Sequence, residues 1–194
     1  GGIHWGIDTS TSTLSITVNA EANEADRGVM NDYAGIEAPW NSAPGYSSVC
    51  NIVVEDGVKN IGGCAFNSSR ESKKTFNNIV IKSDVAKIGK YAFANSIIKN
   101  LSIYGFRNTQ SGLDATAFVS ATEDGNNLIV NIEQVNCYSG LSEYFTLFKT
   151  TDIPASEEDT RNVQKNENIV INAYNVVISS TNLLGSNDKA YATY

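Results

Sequence analysis

The chain has 194 residues, 41% of them hydrophobic and 18% charged, with a formal net charge of −7 at pH 7. That acidity argues against nucleic acid or an anionic membrane surface as a partner, because phosphate binding needs clustered Lys and Arg. The length suits one continuous domain around one core, and no apolar run is long enough to cross a bilayer.

In chain order, "IHWGID" (3–8) and "TLSITV" (13–18) flank "TSTS" and predict a hairpin. Residues 19–46 follow as a long loop, pinned by Met30, Tyr33 and Trp40. Then one phrase is written twice: "VKNIGGCAF" ends at Phe66 and "VAKIGKYAF" at Phe93, 27 positions apart (93 − 66). Each copy follows an apolar run, "CNIVVEDG" and then "NNIVIKSD". A third unit, "NLSIYGFRNTQSGLDATAF", ends at Phe118, carries three extra residues and puts Asp114 where the glycine stood. "NNLIVNI" (126–132) reads as a fourth strand. "SGLSEYFTLFK" reads as a short helix with Ser142 near its start. "SEEDTRNVQKNEN" is a polar connection, and "ENIVINAYNVVIS" (167–179) is a fifth strand or a cap.

One β-like run every 22–27 residues (103 − 81 and 81 − 54) is the pattern of stacked repeats that bury their apolar sides jointly. Parallel pairing is expected of Ile52 and Val54 with Ile79 and Ile81, and of these with Leu101 and Ile103. Phe66, Phe93 and Phe118 should then stack inside, with Ala65 and Ala92 permitting close approach. Gly62 and Gly89 are read as positions of tight or left-handed backbone. The hairpin caps the open end of the stack. Period-two geometry sends Val53, Val80 and Ser102 outward, with Ile129 as a candidate fourth member. That row is apolar for a surface, so it is either covered, by the 19–46 loop or the segment after 133, or it is a partner site rimmed by Glu55, Lys82 and Tyr104.

The repeated Val-x-x-Ile-Gly-x-x-Ala-Phe phrase resembles the BspA-like leucine-rich repeats of bacterial surface proteins. Trp5, "TLSI" (13–16) and "MNDYAGIEAPW" (30–40) are similar to the segment that often precedes such repeats, so the likeness covers residues 5–118. The chain departs from the pattern where "AFNSS" and "AFANS" replace a Cys after Ala-Phe, and where "VVED" and "VIKS" replace Ile-Pro at the strand end. The expected architecture is a β-rich leucine-rich-repeat solenoid: a short parallel β-ladder with irregular return segments, an N-terminal hairpin cap and a C-terminal β segment. Residues 1–46 form the cap and loop, 47–132 the repeats, and 133–194 a degenerate repeat or C-terminal cap. The resemblance implies export and display at the bacterial cell surface. The Gly-Gly start without Met reads as a trimmed beginning, with a signal peptide expected to have been removed, so the missing leader says nothing about export. It further implies an adhesion-type module that binds a protein or glycan and catalyses nothing.

Two other readings are carried beside it, a structural spacer within a larger surface protein and a carbohydrate-active enzyme. The third needs facing carboxylates, and the candidates are Glu55 with Asp56, or Glu157, Glu158 and Asp159. His4 is the lone histidine, so neither general-base chemistry nor a zinc site is expected, and no cofactor motif appears. Cys50, Cys64 and Cys137 have no metal or redox spacing and read as small buried hydrophobes. Spacing alone leaves a Cys50–Cys64 bridge open.

Overall fold

The computed structural model describes residues 1–106, 112–138, 142–155 and 159–174. Strands β1 (Ile3–Asp8) and β2 (Thr13–Val18) form the N-terminal hairpin, with the bounds its sequence suggests. Asp8 sets the turn by accepting hydrogen bonds from the Ser10 amide (2.9 Å) and hydroxyl (2.6 Å). Next come β3 (Asn51–Val54), β4 (Asn60–Ile61), β5 (Lys74–Val85), β6 (Lys87–Ile88) and β7 (Ser96–Phe106). Then follow β8 (Val119–Ala121), β9 (Leu128–Val130), β10 (Ile132–Cys137) and helix α1 (Ser142–Thr150). Strands β11 (Ile153–Pro154), β12 (Asn162–Gln164) and β13 (Val170–Ala173) complete the described residues.

Seven strands make the main sheet, in the order β1-β2-β3-β5-β7-β10-β13. Among the described residues only its β1–β2 pair is antiparallel; the other pairs run parallel. The register is continuous. Leu14, Ile52, Ile79, Leu101 and Val135 align across the sheet, as do Ile16, Val54, Ile81, Ile103 and Cys137. All ten side chains are buried, which is what fixes the register: a one-residue slip would turn both apolar rows out to water. The parallel pairing expected of β3, β5 and β7 is thus present, residue for residue. The fourth rung differs. Residues 128–130 belong instead to a second sheet, β11-β12-β9-β8, and β10 takes the next place on the ladder. A third, two-stranded sheet pairs β4 with β6.

Behind the ladder the aromatic rings stack. Phe66 and Phe93 have centroids 4.9 Å apart, and Phe93 and Phe118 are 5.1 Å apart. The row extends past the repeats at both ends, to Trp40 of the 19–46 loop (5.3 Å from Phe66) and to Phe145 of α1 (6.0 Å from Phe118). Each such contact adds about 0.5–1.5 kcal/mol beyond burial. Helix α1 starts at Ser142 and joins the core because Phe145 and Phe148, three apart, share one face.

The glycines of the phrase work differently from the expectation. Neither Gly62 nor Gly89 has positive φ; the left-handed residues are Cys64 (φ 54°) and Tyr91 (φ 56°), which hold the same place in the two copies. Close approach explains the glycines instead. A Cβ on Gly62 would lie 1.9 Å from the Asn31 carbonyl oxygen, and one on Gly89 would lie 2.6 Å from the Gly63 nitrogen.

Candidate interaction face

The outward face of the ladder is a grid set by the same register. Its middle row runs Ser15, Val53, Val80, Ser102, Asn136 and Asn172, each half-buried between its neighbours. Val53, Val80 and Ser102 therefore lie side by side. Ile129 is not among them: β9 pairs it with Ser120 and Gln164, and Asn136 holds its expected place. The 19–46 loop does not roof this row, because its anchors lie across the core. Asn60 bonds the Met30 amide (3.0 Å) and carbonyl (2.8 Å), and the Trp40 indole donates to the Ala65 carbonyl at 2.9 Å. The described part of the segment after 133 lengthens the row through β10 and β13.

Beside the middle row runs a second one, at the strand exits: Glu55, Lys82, Tyr104, Tyr138 and Tyr174. Lys82 Nζ donates to both Glu55 oxygens, at 3.0 and 2.9 Å. Both side chains are well exposed, so this pair is worth about 0.2–1 kcal/mol. The next step carries a bulge. Ile81 pairs with Ile103 and Asp84 with Gly105, so Lys82 and Ser83 together oppose Tyr104. The Ser83 hydroxyl turns inward and donates to the Val58 carbonyl at 2.6 Å, which leaves Lys82 on the outer face.

From Tyr104 onward the row becomes a ladder of rings. Tyr104 and Tyr138 stack at 4.3 Å with planes 1° apart, and Tyr138 and Tyr174 at 4.6 Å and 11°. Tyr104 remains 49% exposed, the largest exposure of an aromatic ring among the described core and surface hydrophobics. The adjacent polar row is also linked. Asn136 Nδ2 donates to Ser102 Oγ (3.3 Å), and Asn172 Nδ2 donates to Asn136 Oδ1 (2.9 Å). Gln134 Nε2 donates to the same Asn136 oxygen at 3.1 Å. These side-chain bonds hold the amides in one orientation, so the face is preorganised.

Asn136, Asn172, Tyr138 and Tyr174 were not singled out from the sequence. Their signal is a four-residue phrase: Leu101-Ser102-Ile103-Tyr104, Val135-Asn136-Cys137-Tyr138 and Ile171-Asn172-Ala173-Tyr174. Its steps of 34 and 36 residues (135 − 101 and 171 − 135) depart from the 22–27 of the earlier units.

The residues weighed for chemistry are scattered. Glu55 is held by Lys82, and Glu157 and Glu158 lie outside the described residues. The Arg161 fork holds the Asp159 carboxyl well below the usual carboxylate range, with Tyr91 also donating to it. His4 donates from Nε2 to Asn19 Oδ1 at 2.9 Å on the hairpin surface. Cys50, Cys64 and Cys137 are all free thiols, and burial pushes Cys137 up to about 12. Among the described residues no cluster of three His, Cys, Asp or Glu side chains is placed to hold a metal ion. No helix among them is long and apolar enough to cross a membrane. Compared with family models, curated proteins and solved structures, the chain matches none of them.

Proposed function

We propose that this chain is a non-enzymatic adhesion module of the BspA-like leucine-rich-repeat type, displayed at the bacterial cell surface, which binds a partner on the open face of its ladder. The observation that carries the reading is the row of stacked tyrosines, Tyr104–Tyr138–Tyr174, beside the Ser102–Asn136–Asn172 amide row. Rigid tyrosines next to adaptable polar groups are the composition of protein-binding paratopes, because they supply contact area at low entropic cost.

Ring orientation favours a protein over a glycan. A sugar stacks on an open aromatic face, yet both faces of Tyr138 are taken by its neighbours. Apart from the face of Tyr104 turned away from Tyr138, what the row offers is ring edges and hydroxyls, which suit the mixed polar and apolar surface of a protein. The spacer reading has no use for such a row.

Adhesion to immobilised matrix proteins and to a glycan array tests this, comparing the wild type with a Tyr104→Ala/Lys82→Glu variant. The expected result is binding to a protein, weakened about tenfold or more as at an interface hot spot, with little change in melting temperature. Equal adhesion by the variant would place the site elsewhere. Wild-type binding to no protein and no glycan would favour the spacer.

A further inference from the structure

On the far side of the core from the tyrosine row, a cleft of about 250 Å³ opens between the Ala-Phe turns of the repeats and the second, four-stranded sheet. It is smaller than the roughly 300–1,000 Å³ of sites for drug-sized ligands, and matches a single sugar ring or amino acid. Its apolar lining is the half-buried Ala121 above the nearly buried Val119 and Leu128; its polar lining carries Arg70, Arg161, Asn95 and Tyr91. In a chain of net charge −7, the cleft holds two arginines, of which Arg161 is paired with Asp159 and Arg70 has no acidic partner among the described residues.

Both guanidinium groups are held by bonds that use only part of their capacity. Arg161 grips Asp159 with Nε (2.8 Å) and Nη2 (2.6 Å), and Nη2 also reaches the Tyr91 hydroxyl at 3.4 Å. Arg70 donates through Nη2 alone, to the Thr122 carbonyl (3.0 Å) and the Glu123 carbonyl (3.5 Å). Nη1 of both residues, and Nε of Arg70, are left without a partner among the described residues. Asn95 donates through Nδ2 to Asn67 Oδ1 at 3.1 Å, so its own Oδ1 remains as an acceptor. Asp159 offsets the charge of Arg161, while Arg70 bonds only to backbone and keeps its full charge for a ligand.

The wall is also locally strained. Tyr91 and Asn95 are two of the four non-glycine residues with positive φ among the described residues (56° and 55°), and both line this cleft. For a residue as bulky as tyrosine that conformation is costly and persists where surrounding structure over-determines it. Here its hydroxyl donates to Asp159, which in turn orients Arg161.

We propose that this cleft binds a small carboxylate-bearing ligand, its carboxylate taken by the open guanidinium edges of Arg70 and Arg161 and its body resting against Ala121 and Tyr91. Asn95 Oδ1 would accept a hydroxyl or amide N–H from the same molecule. Guanidinium forks match planar carboxylates, and charge-assisted bonds of this kind are the strong ones. An acidic sugar and the C-terminus of a peptide present the same group.

Titration calorimetry of the whole chain with D-glucuronate, N-acetyl-L-alanine and D-glucose tests the site. One of the two carboxylates should saturate in the millimolar range, and glucose should not. Saturation by glucuronate alone assigns an acidic sugar; by N-acetylalanine alone, a peptide terminus. Arg70→Gln should weaken that binding about tenfold or more. If Arg70→Gln lowers the melting temperature, Arg70→Lys, which keeps the charge and loses the fork, serves in its place. Saturation by neither carboxylate, equal binding of glucose, or unchanged affinity in the Arg70 variant overturns the proposal.

Discussion

At the scale of single residues, the repeated phrase separates two jobs that glycine often combines. Gly62 and Gly89 make room for backbone, while Cys64 and Tyr91 adopt the left-handed turn. The two jobs respond oppositely to substitution. Gly89→Ala drives a Cβ to 2.6 Å from a backbone nitrogen that no side-chain rotation can move. Overpacking of that kind costs about 1–3 kcal/mol. Cys64→Gly, in contrast, removes a Cβ from a backbone that penalises it by about 1–2 kcal/mol, against about 0.5–1 kcal/mol of added chain entropy. The loss of a half-buried thiol is small beside these, so Cys64→Gly should be neutral or slightly stabilising. Urea unfolding of both variants checks the pair. A silent Gly89→Ala together with a damaging Cys64→Gly would reverse the assignment.

Between elements, a hydrogen bond from Tyr91 to the Asp159–Arg161 ion pair joins the turn of the second repeat to the chain entering β12. Asp159 is gripped by Arg161 and accepts from Tyr91, whose own phenol is pushed up to about 12 by burial and then by Asp159. The folded protein holds the Asp159 carboxyl below its unfolded value of about 3.9. Below that pH the unfolded chain therefore binds the extra proton first, so the stabilisation is full above about pH 4 and drains away as pH falls toward the folded value. Asp159→Asn should lower stability at neutral pH and flatten the decline below pH 4, as read by melting temperature against pH. A decline as steep as in the wild type would assign the acid sensitivity to other carboxylates. This link was not legible in the sequence, where Asp159 sits in a polar run like any solvated acid. Strands β3, β5 and β7 were legible, because each is a dense apolar run at a near-constant distance from an Ala-Phe. Strand β10 was not. Its Ile132-Glu-Gln-Val-Asn-Cys alternates with polar residues and uses Cys137 where the others use Ile or Val. The denser "LIV" just before it drew the assignment and belongs to the second sheet. The tyrosine row depended on that register, so Tyr104 was found and its two stacking partners were not.

Across the whole molecule, the stacked rings tie the two ends of the described chain together. Trp40 belongs to the N-terminal loop and Phe145 to α1, and three phenylalanines, one from each repeat unit, bridge them without a gap. Arrays of repeats behave as neighbours coupled in one dimension, and weak coupling lets one end unfold before the other. Here the hairpin reaches the same stack, since Trp5 meets Trp40 edge-on at 6.1 Å. Coupling should therefore be strong, and unfolding should be a single event. Two native probes differ in reach: indole fluorescence reports Trp5 and Trp40 at the N-terminal end, and far-UV circular dichroism reports the secondary structure of the whole chain. In urea their transitions should coincide. Phe93→Ala, at the middle of the stack and about 1% exposed, should shift both probes together and cost about 3–5 kcal/mol. If the substitution instead split them, with fluorescence and circular dichroism lost at different urea concentrations, the repeats would be separate folding units and the ring row a local packing feature. A cost below about 1 kcal/mol would be too small for a fully buried ring, and would remove Phe93 from the core altogether.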